Sequence, residues 1–194
     1  MIKRICVFCG SSPGSRPGYS AAAIAIAKYL AASKISIVYG GSNVGLMGVL
    51  ADTAIAAGGE IIGVIPRSLV AKEVAHGRLT ELRVVESMHE RKALMADLSD
   101  AFIALPGGYG TLEEFCEVLT WTQLGFQQKP CGILNVEGYY DHLLKMFDHA
   151  VAEQFVKPAH RRIVISDNVP ETLIGRLLEC ELPVADKWID RKQT

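Results

Sequence analysis

The sequence predicts an α/β fold: a doubly wound, mainly parallel sheet with helices on both faces. Three observations predict it. Short apolar runs alternate with longer stretches of helical spacing along the whole chain. The apolar runs are continuous, as expected of strands covered on both faces. Glycine and small polar residues gather after the successive runs, at what would be a single edge of the sheet.

The elements alternate in order. The run ICVF at 5–8 stops at Gly10, and helical spacing follows over 19–32. ISIVY at 35–39 leads through two glycines to a helix over 46–57, and IIGVI at 61–65 ends at Pro66. LRVV at 82–85 precedes a helix over 88–98, and AFIAL at 101–105 precedes one over 112–123. GILN at 132–135 and IVIS at 163–166 complete the strands, with helices over 139–153 and 170–178. A chain of 194 residues, 49% of them hydrophobic, supports one core better than two. One domain over 1–184 is expected, with a polar tail over 185–194.

A net charge of -1, with both signs interspersed, offers no basic stripe for a nucleic acid. The apolar start ends at Gly10, too short for a secretory or membrane segment, so a cytoplasmic protein that does not engage a membrane is expected. Five scattered cysteines fit a reducing compartment. Cys6 and Cys9 would point to opposite faces of a strand, unsuited to chelation. Histidines 76, 89, 142, 149 and 160 lack metal-ligand spacing, and no metal is expected.

In such a sheet, ligands bind beyond the carboxyl ends of the strands. There, LPGGYGTLEEF at 105–115 places a glycine-rich turn before a helix, where close backbone approach and free N–H groups favour phosphate. It is neither a P-loop nor a GxGxxG fingerprint, which argues against ATP hydrolysis and ordinary dinucleotide binding. Two readings compete for Thr111 and Glu114. They fit a capping box, or Glu114, in company with Glu113 and Glu117, acts on another part of a molecule whose phosphate the turn holds.

The stretch SMHERKALMADL at 87–98 carries a second box, Ser87 with Glu90. Met88, Leu94, Met95 and Leu98 define its buried stripe, and Arg91 falls inside that stripe. Arg91 either snorkels to solvent or clamps a phosphate or carboxylate with its planar fork. Lys92 lies on the exposed side, either solvated or steering phosphate. If strands 82–85 and 101–105 are neighbours, Arg91 and Glu114 face each other across the crevice.

Together, PGGYGTLEE, GGSNVGLMG and SMHERK resemble the Lonely Guy (LOG) family of cytokinin riboside 5'-monophosphate phosphoribohydrolases, whose hallmark is PGGxGTxxE. The resemblance runs over 3–178. It implies a homodimeric, Rossmann-like hydrolase that cleaves the N-glycosidic bond of a purine nucleoside 5'-monophosphate, giving free base and ribose 5-phosphate. It also implies Arg91 and Glu114 as the catalytic pair. Substrate contacts are implied at Glu73, Lys92, Gly108, Tyr109, Gly110, Thr111, Leu112, Glu113, Glu114 and Thr120, with the loop 107–111, Gly107 included, on the phosphate. Ser42 and Asn43 stand where many relatives have Gly and Ser.

Relatives are often labelled lysine decarboxylases, but no lysine is framed for a Schiff base, and no cofactor is expected. On this reading Glu114 stabilises an oxocarbenium-like state while orienting or deprotonating water. Arg91 is too basic to donate a proton, and Asp52 and Asp97 have no special context, so the general acid stays unassigned. A non-hydrolytic nucleotide carrier or sensor is the alternative, as is transfer of the phosphoribosyl group to another acceptor. Trp121 or Phe126 could line an apolar slot for a prenylated base.

Overall fold

The computed structural model describes residues 2–70 and 75–182; the tail expected at 185–194 lies outside them. The strands are β1 (Arg4–Phe8), β2 (Ser36–Tyr39), β3 (Ile61–Pro66), β4 (Glu81–Val85), β5 (Ala101–Ala104), β6 (Cys131–Leu134) and β7 (Val164–Asp167). The helices are α1 (Pro17–Ala32), α2 (Gly45–Ala56), α3 (Arg67–Val70), α4 (Met88–Leu98), α5 (Tyr109–Gln123), α6 (Asp141–Ala152), α7 (Pro158–Arg161) and α8 (Pro170–Leu178). A 3-10 turn at Val136–Gly138 precedes α6. Among the described residues no helix is long and apolar enough to cross a membrane.

Every strand pairing is parallel, in the order β4-β3-β2-β1-β5-β6-β7. The chain winds outward from β1 to β4, then returns to lay β5 against the other side of β1. The topological switch point is therefore between β1 and β5, where loops diverge and leave room for a ligand. This corrects the expected adjacency of the fourth and fifth strands: β4 is at the border of the sheet and three strands separate it from β5.

Two apolar layers sandwich the sheet. One joins Ile5, Val7, Ile37 and Ile103 to α1, α2 and α8 through Ile26, Leu30, Leu50 and Leu173. The other joins Cys6, Phe8, Val64 and Phe102 to α4, α5 and α6 through Met95, Phe115, Val118 and Leu144. Cys6 and Cys9 fall in opposite layers, as their three-residue spacing on a strand dictates. The five cysteines are free.

Phe102 is fully buried and lies parallel to Phe8, ring centroids 6.0 Å apart. Phe102→Ala is expected to cost about 3–5 kcal/mol, read as a lowered midpoint of urea unfolding with little change in slope.

Candidate active site

The crevice forms where α5 begins. Gly108 is its N-cap, in extended conformation, and no side chain caps the helix. The first turn thus leaves the N–H groups of Gly108, Tyr109, Gly110 and Thr111 without intrahelical acceptors. This overturns the capping-box reading of Thr111 and Glu114, and moves the helix start three residues earlier than expected. At 87–90, by contrast, the Ser87 hydroxyl does accept from the Glu90 N–H at 3.1 Å, and the Glu90 carboxylate reaches back to the Glu86 N–H at 2.8 Å.

Gly107 is required by close approach. A Cβ there would lie 2.1 Å from the Thr111 hydroxyl and 2.9 Å from the Gly10 nitrogen. The Gly10 N–H donates to the Pro106 carbonyl at 3.1 Å, so the loops after β1 and β5 meet backbone to backbone. Beside them lies a cavity of about 310 Å³, lined by Cys9, Gly10 and Ser11 of the β1 loop, Met47 and Leu69, Met88 and Arg91 of α4, and Gly108–Thr111, Glu113 and Glu114 of α5.

Arg91 reaches this cavity although β4, the strand before α4, is at the sheet's border. The helix returns across the sheet, touching β3, β2 and β1. Arg91 is only 7% exposed, which rules out the snorkelling alternative. Its Nε donates to the Val64 carbonyl at 3.1 Å and one terminal nitrogen donates to the Gly40 carbonyl at 3.0 Å. The charged fork is thus pinned to the carboxyl ends of β3 and β2. A Cβ on Gly40 would sit 2.2 Å from that nitrogen, so any larger residue there would push the fork off its carbonyls. Met88, expected in the buried stripe, is instead exposed at the cavity rim.

Glu114 is half-buried. Burial pushes its carboxyl up to about 7; Arg91 pulls it down, Glu113 adds to the rise, Lys92 lowers it and Glu117 raises it. A carboxyl so poised exchanges protons near neutrality, as general acid–base chemistry requires. Cys9 also lines the cavity, but burial pushes its thiol up, away from a thiolate nucleophile.

Lys92 differs from the expectation of an exposed charge. Its side chain is largely buried between α4 and α5, with Nζ 2.5 Å from Glu113 and 3.1 Å from Glu117. The hydrogen bond to Glu113 raises its ammonium above the ordinary range. Thr120 is exposed, with its hydroxyl on the Cys116 carbonyl. It lies about 14 Å beyond Thr111 along the helix, so the structure does not bring it together with the cradle. Leu112 is half-buried against the core beside Phe115. Glu73 lies outside the described residues. Ser42 is fully buried, accepting from the Val44 N–H at 3.4 Å and bridging to Ala75. Asp52 pairs with His76 and Arg78, and lies apart from the residues that line the cavity. Among the described residues no cluster of His, Cys, Asp and Glu could hold a metal ion.

Sequence reasoning missed the tyrosines that brace the cradle from behind. The Tyr139 hydroxyl donates to the Gly107 carbonyl and the Tyr140 hydroxyl to the Leu105 carbonyl. The signal available was NVEGYYD at 135–141, a turn composition directly followed by two phenols.

A family model described as "Possible lysine decarboxylase" matches residues 47–177, more than half of the chain. A probable cytokinin riboside 5'-monophosphate phosphoribohydrolase of Oryza sativa subsp. japonica is 53% identical over 178 residues, covering 92% of this chain and 78% of the relative. A cytokinin riboside 5'-monophosphate phosphoribohydrolase of Arabidopsis thaliana is 48% identical over 191 residues, covering 98% and 89%. The chain belongs to the Lonely Guy family. Its LOG fold is shared with a molybdenum cofactor binding protein of Rippkaea orientalis, at TM-score 0.69 and 23% identity over 92% of this chain and 97% of that one. A molybdenum cofactor carrier protein of Chlamydomonas reinhardtii matches at TM-score 0.69 and 19% identity, covering 93% and 100%. At these identities the likeness concerns the fold alone.

Gly40→Ala in this LOG chain is expected to displace the Arg91 fork and lower kcat/KM at least about tenfold. Gly175→Ala in α8, where the added methyl meets open space, should leave activity unchanged and raise stability by up to about 1 kcal/mol. Steady-state rates and thermal melts of the two variants check the contrast.

Proposed function

We propose that this LOG-family chain hydrolyses the N-glycosidic bond of purine nucleoside 5'-monophosphates, of cytokinin or AMP type, to free base and ribose 5-phosphate. The observation that carries the reading is Glu114, a carboxyl held near 7 in the same cavity as a buried arginine and the free N–H groups of Gly108–Thr111. A site built only to hold an anion is better without that acid. The relatives' names supply the substrate class.

The loop 107–111 grips the 5'-phosphate with backbone N–H groups at the positive end of α5. Glu114, one turn inward, faces the ribose. Water attacks C1' as the bond from C1' to the base nitrogen breaks and its electron pair leaves with the base. Deprotonated Glu114 orients the water, takes its proton and stabilises the positive charge that develops at the anomeric carbon; that proton then passes through solvent to the departing base nitrogen, which leaves as free base and restores the carboxylate. Arg91, through its charge and without a direct pair, keeps part of Glu114 ionised. Lys92, with Glu113 and Glu117, fixes the spacing of α4 and α5.

The protein is read as a cytoplasmic homodimer. Exposed Leu124 and Phe126 at the end of α5 supply an apolar face next to Thr120, and Thr120 serves substrate only in a second copy's site. Sedimentation at micromolar concentration should give twice the mass of one chain, and Phe126→Asp should shift it toward monomer.

Wild-type protein incubated with AMP or isopentenyladenosine monophosphate is expected to release free base, followed by chromatography. Glu114→Gln should lower kcat by about 10²–10⁴-fold while nucleotide Kd stays within a few-fold; near-normal turnover would remove the acid from the mechanism. Because the base form is the active one, kcat/KM should climb tenfold per pH unit below about 7 and level off above it.

A further inference from the structure

We propose that Tyr139 is a positioning residue for the phosphate cradle: by holding the Gly107 carbonyl, its hydroxyl aims the Gly108 N–H. The inference rests on the crevice being a nucleotide site, and extends it to a residue outside the PGGYGT stretch.

A trans peptide is planar, with its carbonyl and N–H pointing in opposite directions. The partner that captures the Gly107 carbonyl therefore decides where the Gly108 N–H points. That partner is the Tyr139 hydroxyl, at 2.5 Å. The N–H consequently leaves the peptide on the side opposite the tyrosine; Gly108 borders both the cavity that holds Arg91 and Glu114 and, on the tyrosine's side, a second cavity of about 270 Å³ that it shares with Gly107 and Tyr139.

The neighbouring carbonyls have other holders. Leu105 accepts from the Tyr140 hydroxyl at 2.6 Å, Pro106 from the Gly10 N–H at 3.1 Å, and Gly108 from the Leu112 N–H at 3.2 Å, within the helix. The 107–108 peptide lies between two glycines, whose dihedrals resist rotation least. It is also the peptide whose carbonyl is held by an exposed side chain, Tyr139 being 42% exposed. Burial does not account for that hydroxyl, whereas aiming a peptide does.

The tyrosine is itself fixed in place. Its ring meets Tyr19 and Tyr140 edge to face, with centroids 5.6 and 4.9 Å away. The turn that carries it is tied down by Asn135, whose side chain accepts from the Tyr140 N–H and donates to Asp141, both at 2.7 Å. Arg16 pairs with Glu137 in the same turn at 3.1 Å. A rigid phenol thus reaches the loop from an element more than 30 residues away in sequence.

The test compares wild type, Tyr139→Phe and Tyr140→Phe. Calorimetry measures the Kd of ribose 5-phosphate, which carries the phosphate, and of adenine, which does not; AMP turnover gives kcat and KM. For Tyr139→Phe, the ribose 5-phosphate Kd and the AMP KM should rise about three- to tenfold, the loss of one hydrogen bond. Adenine Kd should stay within about twofold, and Tm within about 3 °C. Tyr140→Phe, which strips a buried carbonyl of its donor, should lower Tm clearly. An unchanged ribose 5-phosphate Kd in Tyr139→Phe, or a rise that adenine shares equally, overturns the positioning role. Wild type that binds ribose 5-phosphate but releases no adenine refutes hydrolysis alone, and the two Kd values still decide for Tyr139. Wild type that binds no ribose 5-phosphate refutes both.

Discussion

The loops that follow β1 and β5 approach so closely that no side chain fits between them, and the rest of the crevice depends on that constraint. Gly10 and Gly107 touch, a hydrogen bond from Gly10 to Pro106 locks the contact, and Gly45 packs against the peptide between Ser11 and Ser12. Parallel pairing of β1 with β5 sets the direction of both loops. With carbonyls turned into contacts behind the loop and N–H groups left at the start of α5, the backbone itself presents positive charge. Apolar layers on both sides of the sheet hold the two strands, so the precision of the site is inherited from the core.

Electrostatics at the crevice is a balance rather than a simple attraction. Desolvation makes the Glu114 carboxyl reluctant to ionise, and its acidic neighbours Glu113 and Glu117 reinforce this. Arg91 opposes both, but its guanidinium is shared with the carbonyls of Val64 and Gly40 and does not pair with the carboxyl directly. Lys92 is divided between two glutamates. Neither cation neutralises Glu114, which is why its proton stays exchangeable near neutrality and available to chemistry.

Much of the architecture was legible in the sequence because strands buried on both faces must be continuously apolar, and such runs mark the interior strands, whereas β4, largely exposed at the border, is interrupted by Arg83. Arg91 was legible as a misfit on a buried helical stripe. Strand order was not: the tendency of consecutive strands to lie side by side fails at a switch point, and only α4's path back across the sheet restores the meeting of Arg91 with Glu114. The start of α5 was misplaced because glycine caps a helix without a side chain to announce it. The four-residue helices Arg67–Val70 and Pro158–Arg161 are too short to show a period. The place of Lys92 depends on carboxylates from another helix, and that of Tyr139 on a carbonyl far away in sequence, so neither could be read locally.

The position of β4 has a consequence for motion. A border strand, paired on one side only, is among the first elements to open in local unfolding. Because α4 follows directly from it, each excursion that loosens β4 tugs on the helix whose guanidinium fastens the ends of β2 and β3. Opening at the rim of the sheet is thereby coupled, through α4, to the carbonyls at its centre that hold the guanidinium.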